Sequence, residues 1–132
     1  MTTARFWRDN ATRYNLVATR CGSCGRVTFP PRHVCQVCHR KSIGKMEKFN
    51  LKGEGEVYSF SVVHDAPSAY EMQKPYVVAI VKMDEGVMMT GQVIDGENNE
   101  VKIGMRVKAT LRRIAEEGAC GVIHYGYKFV PL

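Results

Sequence analysis

The stretch Cys21-Gly22-Ser23-Cys24-Gly25, answered by Cys35-Gln36-Val37-Cys38-His39, decides the fold. Two Cys-x2-Cys pairs with ten residues between them offer four thiolates to the corners of a tetrahedron. Metal knuckles use this spacing, whereas disulfide scaffolds spread their cysteines more widely. The metal reading therefore stands over two disulfides. Zinc is the expected ion, although iron carriers use the same four-sulfur cage and spacing does not separate the two. Four protein ligands leave no open position, so Cys21, Cys24, Cys35 and Cys38 read as a structural site. Such a site is worth about 10–16 kcal/mol to folding in zinc-finger peptides. Gly25 stands where the backbone under the ion often needs positive φ, and His39 holds the equivalent place in the second pair. Pro30-Pro31 stiffens the loop between the pairs. His33 and His39 lie close by, but four thiolates already suffice.

Working outward, residues 3–19 predict a helix from about Ala4 to Leu16, capped by Thr3. Its apolar positions are Phe6, Trp7, Tyr14 and Leu16. Trp7, the only tryptophan, reads either as cover for the local core or as an interface anchor together with Phe6 and Arg8. Residues 46–56, with Gly53 and Gly55, read as a joint.

Beyond Gly55 the pattern turns to β. Val57–His64 alternates, and places Tyr58, Phe60 and Val62 on a buried face. Tyr76–Met83 is nearly all apolar, as for a strand covered on both sides. Asp84-Glu85-Gly86 is a hairpin turn, Val87–Ile94 a strand with a bulge or bend at Gly91, and Asp95–Asn99 another turn. Met105–Ile114 alternates apolar residues with Arg106, Lys108, Thr110 and Arg112, giving a basic outer stripe. Ala115–Gly118 is a turn, and Ala119–Val130 closes the set. Five strands of this size favour an antiparallel barrel of OB type. The fold class is mainly β: N-terminal helix 1–19, zinc ribbon 20–48 and five-stranded barrel 53–132.

The chain has 132 residues and a formal charge of +6, unevenly spread. Residues 1–53 hold eleven Lys or Arg against Asp9 and Glu47, whereas residues 54–132 hold eight against eleven acids. A basic front suits phosphates, nucleic acid or an acidic protein, and equally a solvated surface. No apolar run approaches the ~20 residues that span a bilayer. The N-terminus lacks an export signal, and metal-type cysteines fit the reducing cytoplasm.

Phe6-Trp7, Cys21-x2-Cys24-Gly25, Phe29-Pro30-Pro31-Arg32, Cys35-x2-Cys38, Gly55-x-Val57–His64, Pro75–Ala79, Asp84–Gly86 and Ile103–Val107 follow one another in order. In that order the chain resembles a family of acyl-CoA-associated proteins that join a rubredoxin-like zinc ribbon to an OB-fold. The resemblance implies a non-catalytic partner of thiolase-type enzymes. Archaeal members resemble bridges between acetoacetyl-CoA thiolase and hydroxymethylglutaryl-CoA synthase, passing on acetoacetyl-CoA in the mevalonate pathway. The chain departs from the family's second knuckle at Gln36 and His39. On this reading coenzyme A or an acyl-CoA is a bound ligand, and Lys82, Arg106, Lys108 and Arg112 are the expected contacts for its phosphates. Two alternatives stand beside it. One is a single-stranded nucleic-acid-binding module, against which the expected burial of Tyr58 and Phe60 argues. The other is an enzyme or electron carrier using Cys120, His64 or His124. No paired carboxylates or phosphate-binding glycine loop support it, and no catalysis by the chain alone is expected.

Overall fold

A computed structural model describes residues 3–95 and 100–132. Two β arrangements follow one another, and the second, expected to be antiparallel throughout, contains one parallel pairing. The first is a three-stranded sheet of order β2-β1-β3, formed by β1 (Val17–Cys21), β2 (Val27–Thr28) and β3 (Met46–Asn50). The second is a closed barrel made from β4 (Glu54–Val63), β5 (Tyr76–Met83), β6 (Met88–Val93), β7 (Arg106–Glu116) and β8 (Ile123–Pro131). Its strand order is β4-β5-β6-β8-β7, closed by antiparallel pairing of β4 with β7. A parallel contact, Val93↔Phe129, joins β6 to β8. This is the five-stranded barrel of an OB-fold.

The expected helix over 4–16 is two short ones, α1 (Thr3–Arg8) and α2 (Asn10–Asn15). The break falls at Asp9, at φ −95° and ψ 2°, and Leu16 ends α2 in the left-handed region. Phe6 and Leu16 are buried, whereas Trp7 is 60 % exposed and does not cover a core. Residues read as a joint form β3 instead, which pairs with β1 from Val17↔Asn50 to Cys21↔Met46. The link between sheet and barrel is only the short segment 51–53. Leu16, Ala18 and Leu51 pack into the same cluster as Val57, Val81 and Phe129, so ribbon and barrel share one core.

The β reading needs four further corrections. A bulge between Val57 and Ser59 shifts the alternation of β4. Val57 points inward, and Tyr58 is 58 % exposed rather than buried, while Phe60 packs on the core. β5 is covered on one face only, by Val77, Ala79, Val81 and Met83, with Ile80 and Lys82 outside. Gly91 is no bulge: it pairs regularly with Ala79, and a Cβ there would lie 2.7 Å from the Phe129 ring. β7 runs on to Glu116, through a bulge between Arg113 and Ala115, and β8 begins only at Ile123. The turn at Asp84–Gly86 forms as expected, with Gly86 at φ 82° and its N–H donating to Met83. The turn expected at Asp95–Asn99 lies, beyond Asp95, outside the described residues.

Candidate functional site

The ribbon sheet sets the first knuckle. The N–H of Cys21 donates to the Arg26 carbonyl, and that of Gly25 to the Cys21 carbonyl, which folds Cys21–Arg26 into a loop. Gly25 takes φ 73° as this turn requires. Gly22 lies so close to β3 that a Cβ would meet the Lys45 carbonyl at 2.9 Å, and its own N–H donates to that oxygen. The second knuckle repeats the hydrogen bond, from the His39 N–H to the Cys35 carbonyl. His39 takes φ 48° and ψ −126°, a conformation that glycine adopts readily and a side chain does not. Ser42, fully buried, braces this turn: its hydroxyl accepts from the Cys35 N–H at 2.8 Å and donates to the His39 carbonyl at 2.6 Å. Sequence reading missed Ser42, since one serine four residues past a cysteine pair carries no signal of its own.

The four sulfurs all lie within 4.8 Å of one another, with Cys24 and Cys35 at 3.6 Å. A zinc ion with bonds of ~2.3 Å places its sulfurs ~3.8 Å apart, so the cluster fits that ion. The backbone prepares two of the ligands. N–H groups of Cys24 and Ser23 lower the Cys21 thiol, and those of Cys38 and Val37 lower Cys35 to about 6. Cys38 is pushed up to about 12, first by its hydrogen bond with Cys24 and then by burial, because neighbouring sulfurs resist a further negative charge. A divalent cation held by Cys21, Cys24, Cys35 and Cys38 would relieve that repulsion and tie the two knuckles together.

Of the remaining expected residues, Lys82 and Arg106 share one row across the barrel, each paired with Glu56 of β4, and the others lie apart. Arg106 grips Asp84 with two hydrogen bonds, of 2.7 and 3.0 Å, and lies 3.8 Å from Glu54. Lys108 stands 4.0 Å from Glu54, and Arg112 2.8 Å from Asp95. Lys82 has no ion pair among the described residues. Phe6 is enclosed by the chain itself, 4.1 Å from the buried His124 ring and under the Arg13 guanidinium. Trp7 and Arg8 remain exposed. His124 Nε2 lies 3.1 Å from Glu117, and Cys120 is exposed. Among the described residues, no helix is long and apolar enough to cross a membrane.

Ribbon, thiolate cluster and barrel define a zinc-ribbon/OB-fold protein. Comparison with known families agrees: "ChsH2, rubredoxin-like zinc ribbon domain" matches residues 8–44, and "ChsH2, C-terminal OB-fold domain" matches residues 50–112. The chain belongs to this ChsH2/DUF35 family. It is 49 % identical to a "DUF35 domain-containing scaffold protein" of Methanocaldococcus jannaschii, over 97 % of this chain and 89 % of that protein. It is 37 % identical to the 3-oxo-4,17-pregnadiene-20-carboxyl-CoA hydratase alpha subunit of Mycobacterium tuberculosis, over 82 % of this chain but only 33 % of the subunit. Among solved structures, a chain of the Ltp2-ChsH2(DUF35) aldolase superposes with a TM-score of 0.73 at 27 % identity, over 99 % of this chain and 96 % of that one.

Proposed function

We propose that this chain is a non-catalytic scaffold that bridges acetoacetyl-CoA thiolase and hydroxymethylglutaryl-CoA synthase in the cytoplasm, and helps pass acetoacetyl-CoA along the mevalonate pathway. The observation that carries the reading is end-to-end similarity to proteins named as scaffolds. The likeness to a chain of the Ltp2-ChsH2(DUF35) aldolase supports it, because that relative acts within an enzyme assembly. Thiolase condensation is uphill, so a neighbour that consumes its product draws the reaction forward. Trp7 and Arg8 offer an exposed aromatic and cationic anchor of the kind enriched at interfaces. For coenzyme A, Lys82 leads the basic residues, since Arg106 and Arg112 already hold carboxylates that a phosphate must displace.

A pull-down of the tagged chain from its native extract, at moderate salt with nuclease present, tests this. Near-stoichiometric recovery of a thiolase, with or without the synthase, supports the scaffold. Recovery of nucleic-acid-processing proteins without a thiolase overturns it. Exposed Tyr58 then becomes the first residue to test for base stacking.

A further inference from the structure

Away from the thiolates, a cavity of about 640 Å³ opens where α2, the Pro30-Pro31 loop and the outer face of β5, β6 and β8 meet. The 3-10 segment Ser68–Gln73 contributes Tyr70 to its wall. The volume lies within the range of small-molecule sites. Its walls are aromatic, from Phe29, Tyr70, Tyr76 and Tyr127, with Gly91 and Gly126 also lining it. Tyr70 and Tyr76 stand 5.9 Å apart, as do Phe29 and Tyr127.

A buried lysine lies among these aromatic walls. Lys128 is only 7 % exposed, yet it has no carboxylate partner among the described residues. Its Nζ donates one long hydrogen bond, 3.4 Å, to Gln73 Oε1, which also accepts from Gln92 Nε2 at 3.3 Å. An ammonium carries three donors, so two are left to place. Burying a cation without a counter-charge is costly, and burial together with Arg112 pulls the Lys128 pKa down. The other charges at the cavity are Asp9 and Arg13, which face each other at 3.9 Å and add no net charge. The cavity thus offers one unbalanced positive charge. Its one forked donor, the Arg13 guanidinium, lies over the Phe6 ring and faces Asp9, and the Asp9 carboxylate opposes a second negative charge.

We propose that this cavity binds a small organic monocarboxylate with a flat apolar body, its carboxylate on Lys128 and its body between the tyrosines. The site stands apart from the thiolate cluster and does not rest on the scaffold reading, so a pull-down without thiolase leaves it untouched.

Titration calorimetry on the zinc-loaded full chain tests it with 2-naphthoate, neutral 2-naphthamide and 2-naphthyl phosphate. The expected result is one-site binding of the naphthoate with Kd below about 1 mM, at least about tenfold tighter than the amide. Lys128→Met keeps an unbranched chain of similar length and should erase that preference, bringing naphthoate affinity down to that of the amide or below. Equal affinities for acid and amide, tighter binding of the phosphate, or no saturable binding of the naphthoate overturns the proposal. Should Lys128→Met fail to fold by circular dichroism, amide chemical shifts of the wild-type chain decide. Naphthoate must perturb Gly91 and Gly126, and shifts confined elsewhere refute the site.

Discussion

His39 occupies φ 48° and ψ −126°, where its Cβ crowds the backbone. Its side chain is exposed and is not among the four thiolates that could hold a metal, and it makes no side-chain hydrogen bond or ion pair among the described residues. Backbone strain of this type costs of order 1–3 kcal/mol. His39→Gly relieves it but gives the unfolded chain more conformational entropy, which offsets part of the gain. The net expectation is a gain of about 1 kcal/mol in urea unfolding of the zinc-loaded chain. An unchanged or lower midpoint contradicts this. The departure from glycine at this position was legible in the sequence; its angle was not. The clustering of the four cysteines was legible too, because knuckle spacing alone nearly dictates it. The Ser42 brace was hidden, since a side chain that serves the backbone has no periodicity.

At the scale of strands, the Arg106–Asp84 pair ties β7 to the β5–β6 turn. The guanidinium hydrogen bonds hold the Asp84 carboxyl below its ordinary value, with burial opposing them. A depressed carboxylate pKa stabilises the fold above the unfolded value, ~3.9, and this contribution fades as pH falls through the lower folded value. Wild type and Arg106→Leu should therefore differ in stability at neutral pH and converge in acid. A difference that stays constant down to the acid limit counts against the pair. Gly91→Ala drives a methyl against the Phe129 ring, and should cost about 1–3 kcal/mol in thermal or denaturant unfolding. A neutral result means that the ring moves aside freely. Strand positions were readable from alternation, but the two bulges were not. A bulge moves one residue across the sheet without changing composition, so Tyr58 reads as buried in sequence and stands in solvent. The paired carboxylates of the basic stripe were equally hidden, since Asp84 and Asp95 reach it only through the fold.

For the whole molecule, the shared core couples metal to barrel. Leu16, Ala18 and Leu51 belong to the ribbon side yet pack with Val57, Val81 and Phe129. A structural zinc site contributes about 10–16 kcal/mol, as much as a typical domain's entire stability. Stripping the metal with a chelator should lower the melting temperature reported by the barrel tyrosines as well as unfold the knuckles. If near-ultraviolet tyrosine signals melt at the same temperature with and without metal, ribbon and barrel are independent. The five-stranded barrel was foreseeable from strand count and size. The single core was not, because the apolar residues of 16–18 and 51 are too few to show a direction.

The strand order of the barrel also constrains how the chain is made. Among the strands of the described residues β8 leaves the ribosome last, yet its place is between β6 and β7. Until residue 123 emerges, both neighbours present unpaired edges, the arrangement most open to mispairing with other nascent chains. The ribbon, complete by Asn50, has by then long been free to gather its ion. Synthesis therefore passes through a stage with a finished metal module and an open barrel. A stalled or prematurely terminated chain at that stage is a natural client for chaperones.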